Sequence, residues 1–375
     1  MPLTTFPSEE EHFKGFKIFD VTYKVVKSHA IQTSVLVPRN ACKGPRPVIV
    51  RFHGGGLAPF DESEQVAGTR LHAPWFPPYL LKHALSHDAI IVSPDYRLLP
   101  EACGLDILSD IASLWKWLFT CLHGYVLHRD PIYSSCGVNL KRIMVSGESA
   151  GGWLALQSAF MHPDQIKAIL AIFPMLDLGD EHFTHGGRGS HTKNGTTPNG
   201  NPTNEAGVSS LAGATTNGHG DDTRADKSQM IGLGTLLDTA IVDEYIQSAQ
   251  QNPERVTSSI TPPERMDFSI ALFQHSRVGE LLGPERVLYP VELLEDLGRA
   301  EVRLPPLLIV HGTDDTVVPV EGSKRFARAW ETWQRDSAVR LVLRPGEHGF
   351  EARASADDEG WLREALGWVA DRWLN

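Results

Sequence analysis

Apolar and polar positions along the chain fall into two regimes. Two β-like runs, 16–26 and 31–37, come first. An apolar run, 47–53, then stops at three glycines. From there the pattern alternates: strand 89–93, helix 105–122, strand 142–146, helix 150–161, strand 168–173. After a long interruption it resumes with strand 306–311, helix 322–333, strand 339–344 and helix 360–373. In the last segment Trp361, Ala365, Trp368, Val369 and Trp373 recur at helical steps, which predicts an amphipathic helix packed on a sheet. Strands that carry few polar residues and alternate with helices predict an α/β architecture. Its sheet is mostly parallel and covered on both faces.

The interruption, 179–302, reads as an insertion rather than a second domain. Within it, 184–222 holds 9 Gly, 7 Thr and 5 Asn, with Val208 and Leu211 as the only large aliphatics. Such a stretch cannot bury enough surface to offset its ordering entropy and is expected to be a disordered loop. The part from 229 to 300 is apolar on one side (Leu233, Leu236, Leu237, Ile241, Tyr245) and is expected to form helices of a cap. At about 150 residues per domain, 375 residues suggest two or three domains. Setting the polar loop aside leaves one catalytic domain, with a core of 16–178 and 303–374 and a lid of 179–302.

Charge narrows the partners. With 35 basic and 46 acidic residues the net charge is −11, and no basic stripe is present that could neutralise several phosphates. Nucleic acid and anionic membrane surfaces are therefore not expected partners. The four cysteines form no CxxC pair, as in a reducing compartment. There is no apolar run of spanning length and no signal-like start, so a cytoplasmic protein is expected. His182, His185 and His191 lack an accompanying Cys or Asp ligand set, so no metal is assigned to them.

The candidate chemistry sits at strand ends. Gly147-Glu148-Ser149-Ala150-Gly151 joins a predicted strand to a predicted helix. A serine at such a corner is held in strained backbone, and the helix N-terminus beneath it favours developing negative charge. Ser149 is the candidate nucleophile. His53-Gly54-Gly55-Gly56 ends an earlier strand, and successive glycines leave backbone N–H groups free to face an oxyanion. The loop lacks the Lys-Ser/Thr of a P-loop and the spacing of a dinucleotide site. His53 is expected to orient this loop rather than carry protons.

Two aspartates, Asp314 and Asp315, follow a late strand in HGTDDTVVP. Asp315 fits the D-x-x-V-P spacing common after this strand in serine hydrolases, which leaves Asp314 as a loop-capping or exposed residue. His348, in a small-residue turn 33 positions after Asp315, completes the order Ser, Asp, His as the candidate general base.

Taken together, HGGG (53–56), GESAGG (147–152) and Asp95-Tyr96-Arg97-Leu98-Leu99-Pro100-Glu101 resemble the hormone-sensitive-lipase-like carboxylesterases of the α/β-hydrolase superfamily. The resemblance implies an eight-stranded-type α/β-hydrolase sheet with an inserted helical cap. It also implies an oxyanion hole from Gly55, Gly56 and Ala150, and no cofactor. Tyr96 and Arg97 carry over as structural residues, with a buried Asp95–Arg97 interaction expected. The chain departs from the family at Leu57, where an aromatic is usual, and in the setting of its acid. Its N-terminal cap is short, which assigns lid duty to the 57–78 loop and the 229–300 insertion.

The expected reaction is hydrolysis of a carboxylic ester of a small hydrophobic metabolite. The same machinery would serve a thioesterase or acyltransferase acting on a metabolite such as a polyketide-type acyl chain, so ester and thioester substrates both stay open. A non-catalytic small-molecule receptor, as in the similar plant gibberellin receptors, is the remaining reading. The presence of His348 argues against it. Oligomeric state is not legible in the chain.

Overall fold

The computed structural model describes residues 8–39, 44–55, 57, 69–129, 133, 137–184, 235–260 and 264–375. Eight strands form one sheet: β1 (Phe16–Val26), β2 (His29–Pro38), β3 (Arg46–Phe52), β4 (Ile90–Pro94), β5 (Val138–Glu148), β6 (Ile166–Ile172), β7 (Leu307–Gly312) and β8 (Val339–Arg344). Their spatial order is β1-β2-β4-β3-β5-β6-β7-β8. The β1–β2 hairpin turns on Lys27 and Ser28, both at positive φ, the sense that matches strand twist. Both the β1–β2 and β2–β4 pairings are antiparallel, whereas every pairing from β4 to β8 is parallel.

Period-two alternation sorts the parallel strands onto two cores. Val48, Val50, Ile90, Val92, Ile143, Val145, Ile169 and Ile309 face one core, which they share with α3 (Gly104–Arg129), α4 (Ala150–Met161) and α9 (Val320–Trp333). Ile49, Ile91, Met144, Leu170 and Leu308 face the other, shared with α2 (Pro78–Ser86) and α10 (Gly360–Leu374). Both faces are thus buried, which is why the strands read as apolar runs rather than alternating ones. A short N-terminal helix, α1 (Glu9–His12), precedes β1.

The predicted strands and helices are all present. The largest boundary differences are α3, which runs on to Arg129, and β5, which begins at Val138 and ends at Glu148. Of the insertion, α5 (Ala240–Gln251), α6 (Met266–Gln274), α7 (Val278–Leu282) and α8 (Pro290–Arg299) are described. The loop before α8 is tied to α4: Trp153 Nε1 donates to the Leu288 carbonyl and Gln157 Nε2 to that of Val287, each at 2.9 Å. Buried Arg265 pairs with Glu101, and the Leu98 amide donates to the Thr257 carbonyl. The insertion is therefore stitched to the α3/α4 side and to the segment after β4. The low-complexity stretch lies outside the described residues from 185 onward. No helix among the described residues is long and apolar enough to cross a membrane.

One expectation is corrected. Asp95 and Arg97 do not pair with each other. Buried Asp95 is bound by Arg70, while Arg97 engages Asp110 through Nε and Asp106 through Nη1, each at 2.9 Å. The partners come from other elements: Asp106 and Asp110 sit on α3, at the level of Arg97, and Arg70 lies in the segment before α2.

Candidate active site

Ser149 sits between β5 and α4 with φ 54° and ψ −117°, a left-handed conformation costly for a residue with a Cβ. Its neighbours show why the corner needs glycines. A Cβ on Gly147 would lie 2.0 Å from the Gly151 carbonyl oxygen, and one on Gly151 would lie 2.0 Å from that of Phe52. One on Gly152 would lie 2.4 Å from the Pro174 Cβ. The turn is fastened by the Ser149 amide, which donates to the Ile172 carbonyl at 2.9 Å. The Ser149 carbonyl in turn accepts from Met175 at 3.1 Å. Ala150 opens α4, where backbone N–H groups lack intrahelical acceptors.

Gly54 lies against this corner: a Cβ there would be 3.0 Å from the Glu148 carbonyl oxygen. Gly55 has φ 104°, which glycine adopts without strain. Gly56 lies outside the described residues. His53 is fully buried and stacks on Tyr96 with ring centroids 4.4 Å apart. The Tyr96 hydroxyl donates to the His53 carbonyl at 2.8 Å. Burial pushes the His53 imidazole down to about 3. A neutral, stacked ring has the orienting place expected of it. Leu57 is buried in the core with φ 65°, so it is no wall of the cleft.

His348 and Asp315 come together across the loops after β8 and β7. His348 Nδ1 lies 2.8 Å from Asp315 Oδ2, and Asp315 Oδ1 accepts from the amides of Val317 at 3.0 Å and Val318 at 2.8 Å. A second histidine, His311 at the end of β7, has Nε2 3.3 Å from Asp315 Oδ2. Its Nδ1 meets Ser323 Oγ at 2.8 Å. Burial alone would raise the Asp315 carboxyl. The charge of His348 and the hydrogen bonds of His311, His348 and Val318 outweigh it and hold the group well below the usual carboxylate range. Asp314 is exposed and accepts from the Gly346 amide, the loop-capping place expected for it.

Ser149, His348, Gly54 and Gly55 line one cleft of about 180 Å³. Its apolar walls include Pro74, Trp75, Pro77 and Phe173. Trp75 and its neighbours belong to the 57–78 segment, so the part of that segment described here does border the site. Among the described residues, none from α5–α8 lines this cleft. His182 Nε2 bonds the Val317 carbonyl, and His185 and His191 lie outside the described residues.

Sequence reasoning missed a charged group beneath the cleft. Arg51 on β3 pairs with Glu148 at 2.8 Å, bonds the Trp75 carbonyl at 2.6 Å, and packs over Phe76 at 4.2 Å. Glu351, one turn past His348, also lines the cleft and is 3% exposed. The signal was present: a guanidinium inside an apolar central strand requires a buried partner.

A family model described as the alpha/beta hydrolase fold matches residues 49–206. A probable carboxylesterase of Phoma sp. is 30% identical over 383 residues, covering 98% of this chain and 99% of the relative. A probable carboxylesterase of Cochliobolus lunatus is 30% identical over 248 residues, 63% of this chain and 88% of the relative. Among solved structures, an esterase of Pyrobaculum calidifontis aligns with TM-score 0.53 and 22% identity over 97% of this chain and 87% of that one, a likeness of fold. The chain belongs to the carboxylesterases of the α/β-hydrolase fold and is a carboxylic-ester hydrolase.

Proposed function

We propose that this α/β-hydrolase cleaves a small, uncharged ester through a covalent acyl-enzyme, with Ser149, His348 and Asp315 as its triad. The observation that carries this reading is the shared cleft. A serine in strained elbow geometry and a histidine bonded to a buried carboxylate line the same small cavity.

In this mechanism His348 takes the Ser149 hydroxyl proton as the oxygen attacks the ester carbonyl. Asp315 fixes the imidazole orientation and stabilises its charged form. Backbone N–H groups of Gly55, Gly56 and Ala150 hold the tetrahedral oxyanion, each worth roughly 2.7–4 kcal/mol. The alcohol leaves with the proton from His348. Water then gives a proton to His348 and attacks the acyl-enzyme; the acyl–oxygen bond to Ser149 breaks, His348 returns the proton to the serine oxygen and the acid is released. No step needs a cofactor.

The test is a series of nitrophenyl esters of rising acyl length with wild type and Ser149→Ala. Wild type should turn over short acyl chains, which a cleft of about 180 Å³ accommodates. The variant should lose on the order of 10⁶ in turnover. Near-wild-type rates in Ser149→Ala, or no labelling of folded wild type by a fluorophosphonate, would overturn the assignment. Thioester analogues in the same assay measure the preference for oxygen over sulfur leaving groups.

A further inference from the structure

Beside the triad, the cleft holds a carboxyl that the mechanism does not use. Glu351 is 3% exposed, and its Oε2 has no hydrogen-bond partner among the described residues. The nearby cation is already engaged: Arg51 binds Glu148 through Nη2 at 2.8 Å and the Trp75 carbonyl at 2.6 Å. A buried carboxylate without its own cation is too costly to persist, so such a group takes up a proton instead. An uncharged acid with an unsatisfied oxygen, in a cleft whose apolar walls are Trp75, Phe173 and prolines, is a polar anchor beside Ser149 and His348.

We propose that Glu351 is a specificity-determining residue that hydrogen-bonds an uncharged oxygen function, an ether, hydroxyl or ketone, on the ester that enters the cleft. This rests on the esterase reading of the same cleft. It makes the preferred substrate an oxygenated small ester rather than a plain alkyl one. Burial, together with the charges of Glu148 and Asp315, pushes the Glu351 carboxyl up to about 8, against the opposing effects of a hydrogen bond from its own backbone amide and, more weakly, of Arg51. Tyr79 on α2 also feels Glu351 and Glu148, its hydroxyl held well above its ordinary value chiefly by burial. At neutral pH Glu351 is therefore a donor, and above about pH 8 it ceases to be one.

The experiment compares isosteric ester pairs in which one methylene is replaced by oxygen. On the acyl side the pair is nitrophenyl butyrate and nitrophenyl methoxyacetate. On the alcohol side it is butyl acetate and 2-methoxyethyl acetate. The quantity read is the oxygenated-to-alkyl ratio of kcat/KM, in which the triad's own pH dependence cancels. For at least one pair, Glu351→Met should lower the ratio roughly 3- to 10-fold, the worth of one hydrogen bond. Glu351→Gln, which keeps a donor, should hold it within about twofold of wild type.

In wild type the same ratio should fall as pH rises from 7 to 9, and in Glu351→Gln it should not. Ratios unchanged by both substitutions and by pH in both pairs would overturn the proposal. Hydrolysis of the alkyl esters by every variant reports separately on the triad. Should Glu351→Met not fold, the wild-type pH profile against Glu351→Gln decides alone.

Discussion

His348 Nδ1 and Asp315 Oδ2 stand 2.8 Å apart, and the opposite oxygen of Asp315 is held by two backbone amides. The carboxylate is thereby fixed by the turn that carries it before it orients the imidazole. Asp315→Asn keeps the shape and removes the charge, so turnover should drop by about 10⁴-fold with little change in KM. Steady-state kinetics on one nitrophenyl ester would check this, and a loss under tenfold would move the acid elsewhere.

The same aspartate should show in acid unfolding. Its folded carboxyl lies well below the ordinary value, so its contribution to stability is present above about pH 4. That contribution is lost as pH falls towards the folded value. In Asp315→Asn the stability curve below about pH 4 should be flatter than in wild type, as read by urea denaturation at a series of pH values.

Glu351 should act in the opposite sense. Its carboxyl is raised from 4.5 to about 8, so its stabilising effect is complete below about 4.5 and lost as pH rises towards 8. Wild type should lose roughly 3–5 kcal/mol across that interval from this group. Glu351→Gln does not titrate, so it should lose less and become the more stable protein at pH 8. Parallel pH–stability curves for the two would contradict a buried, uncompensated acid.

Arg51 ties Glu148, the residue before Ser149, to the wall of the cleft. Arg51→Met leaves Glu148 buried without its cation and should cost about 3–5 kcal/mol. Removing both charges, in Arg51→Met with Glu148→Leu, should cost less than the single change, because the uncompensated charge is what destabilises. Chemical denaturation of wild type, Arg51→Met and the double variant makes that comparison. A double variant no more stable than Arg51→Met would show that packing over Phe76, rather than charge, is the larger part of what Arg51 does.

Much of this was legible in the chain because it is local. The strand 339–344 and the helix 150–161 have the predicted bounds, since apolar periodicity and flanking turns act over a few residues. Ser149 was legible for the same reason: the glycines around it are required by clashes within one strand–turn–helix corner. Asp315 and His348 could be chosen by their positions after late strands.

Only the tertiary structure decided which distant groups meet. Arg97 reaches Asp110 and Asp106 rather than its near neighbour Asp95, which belongs to Arg70. Arg51, Glu148 and Trp75 come from three separate stretches of chain and meet at one guanidinium, and Glu148 and Trp75 line the same cleft as Glu351 from a fourth. A one-dimensional pattern fixes which face of a strand a residue occupies. It does not fix which buried charge will share that face across the sheet, because that depends on strand order and on loops folding back over the strand ends. The serine corner belongs to the sequence. The charge balance around Glu351, on which the proposed substrate preference rests, exists only once the sheet is assembled.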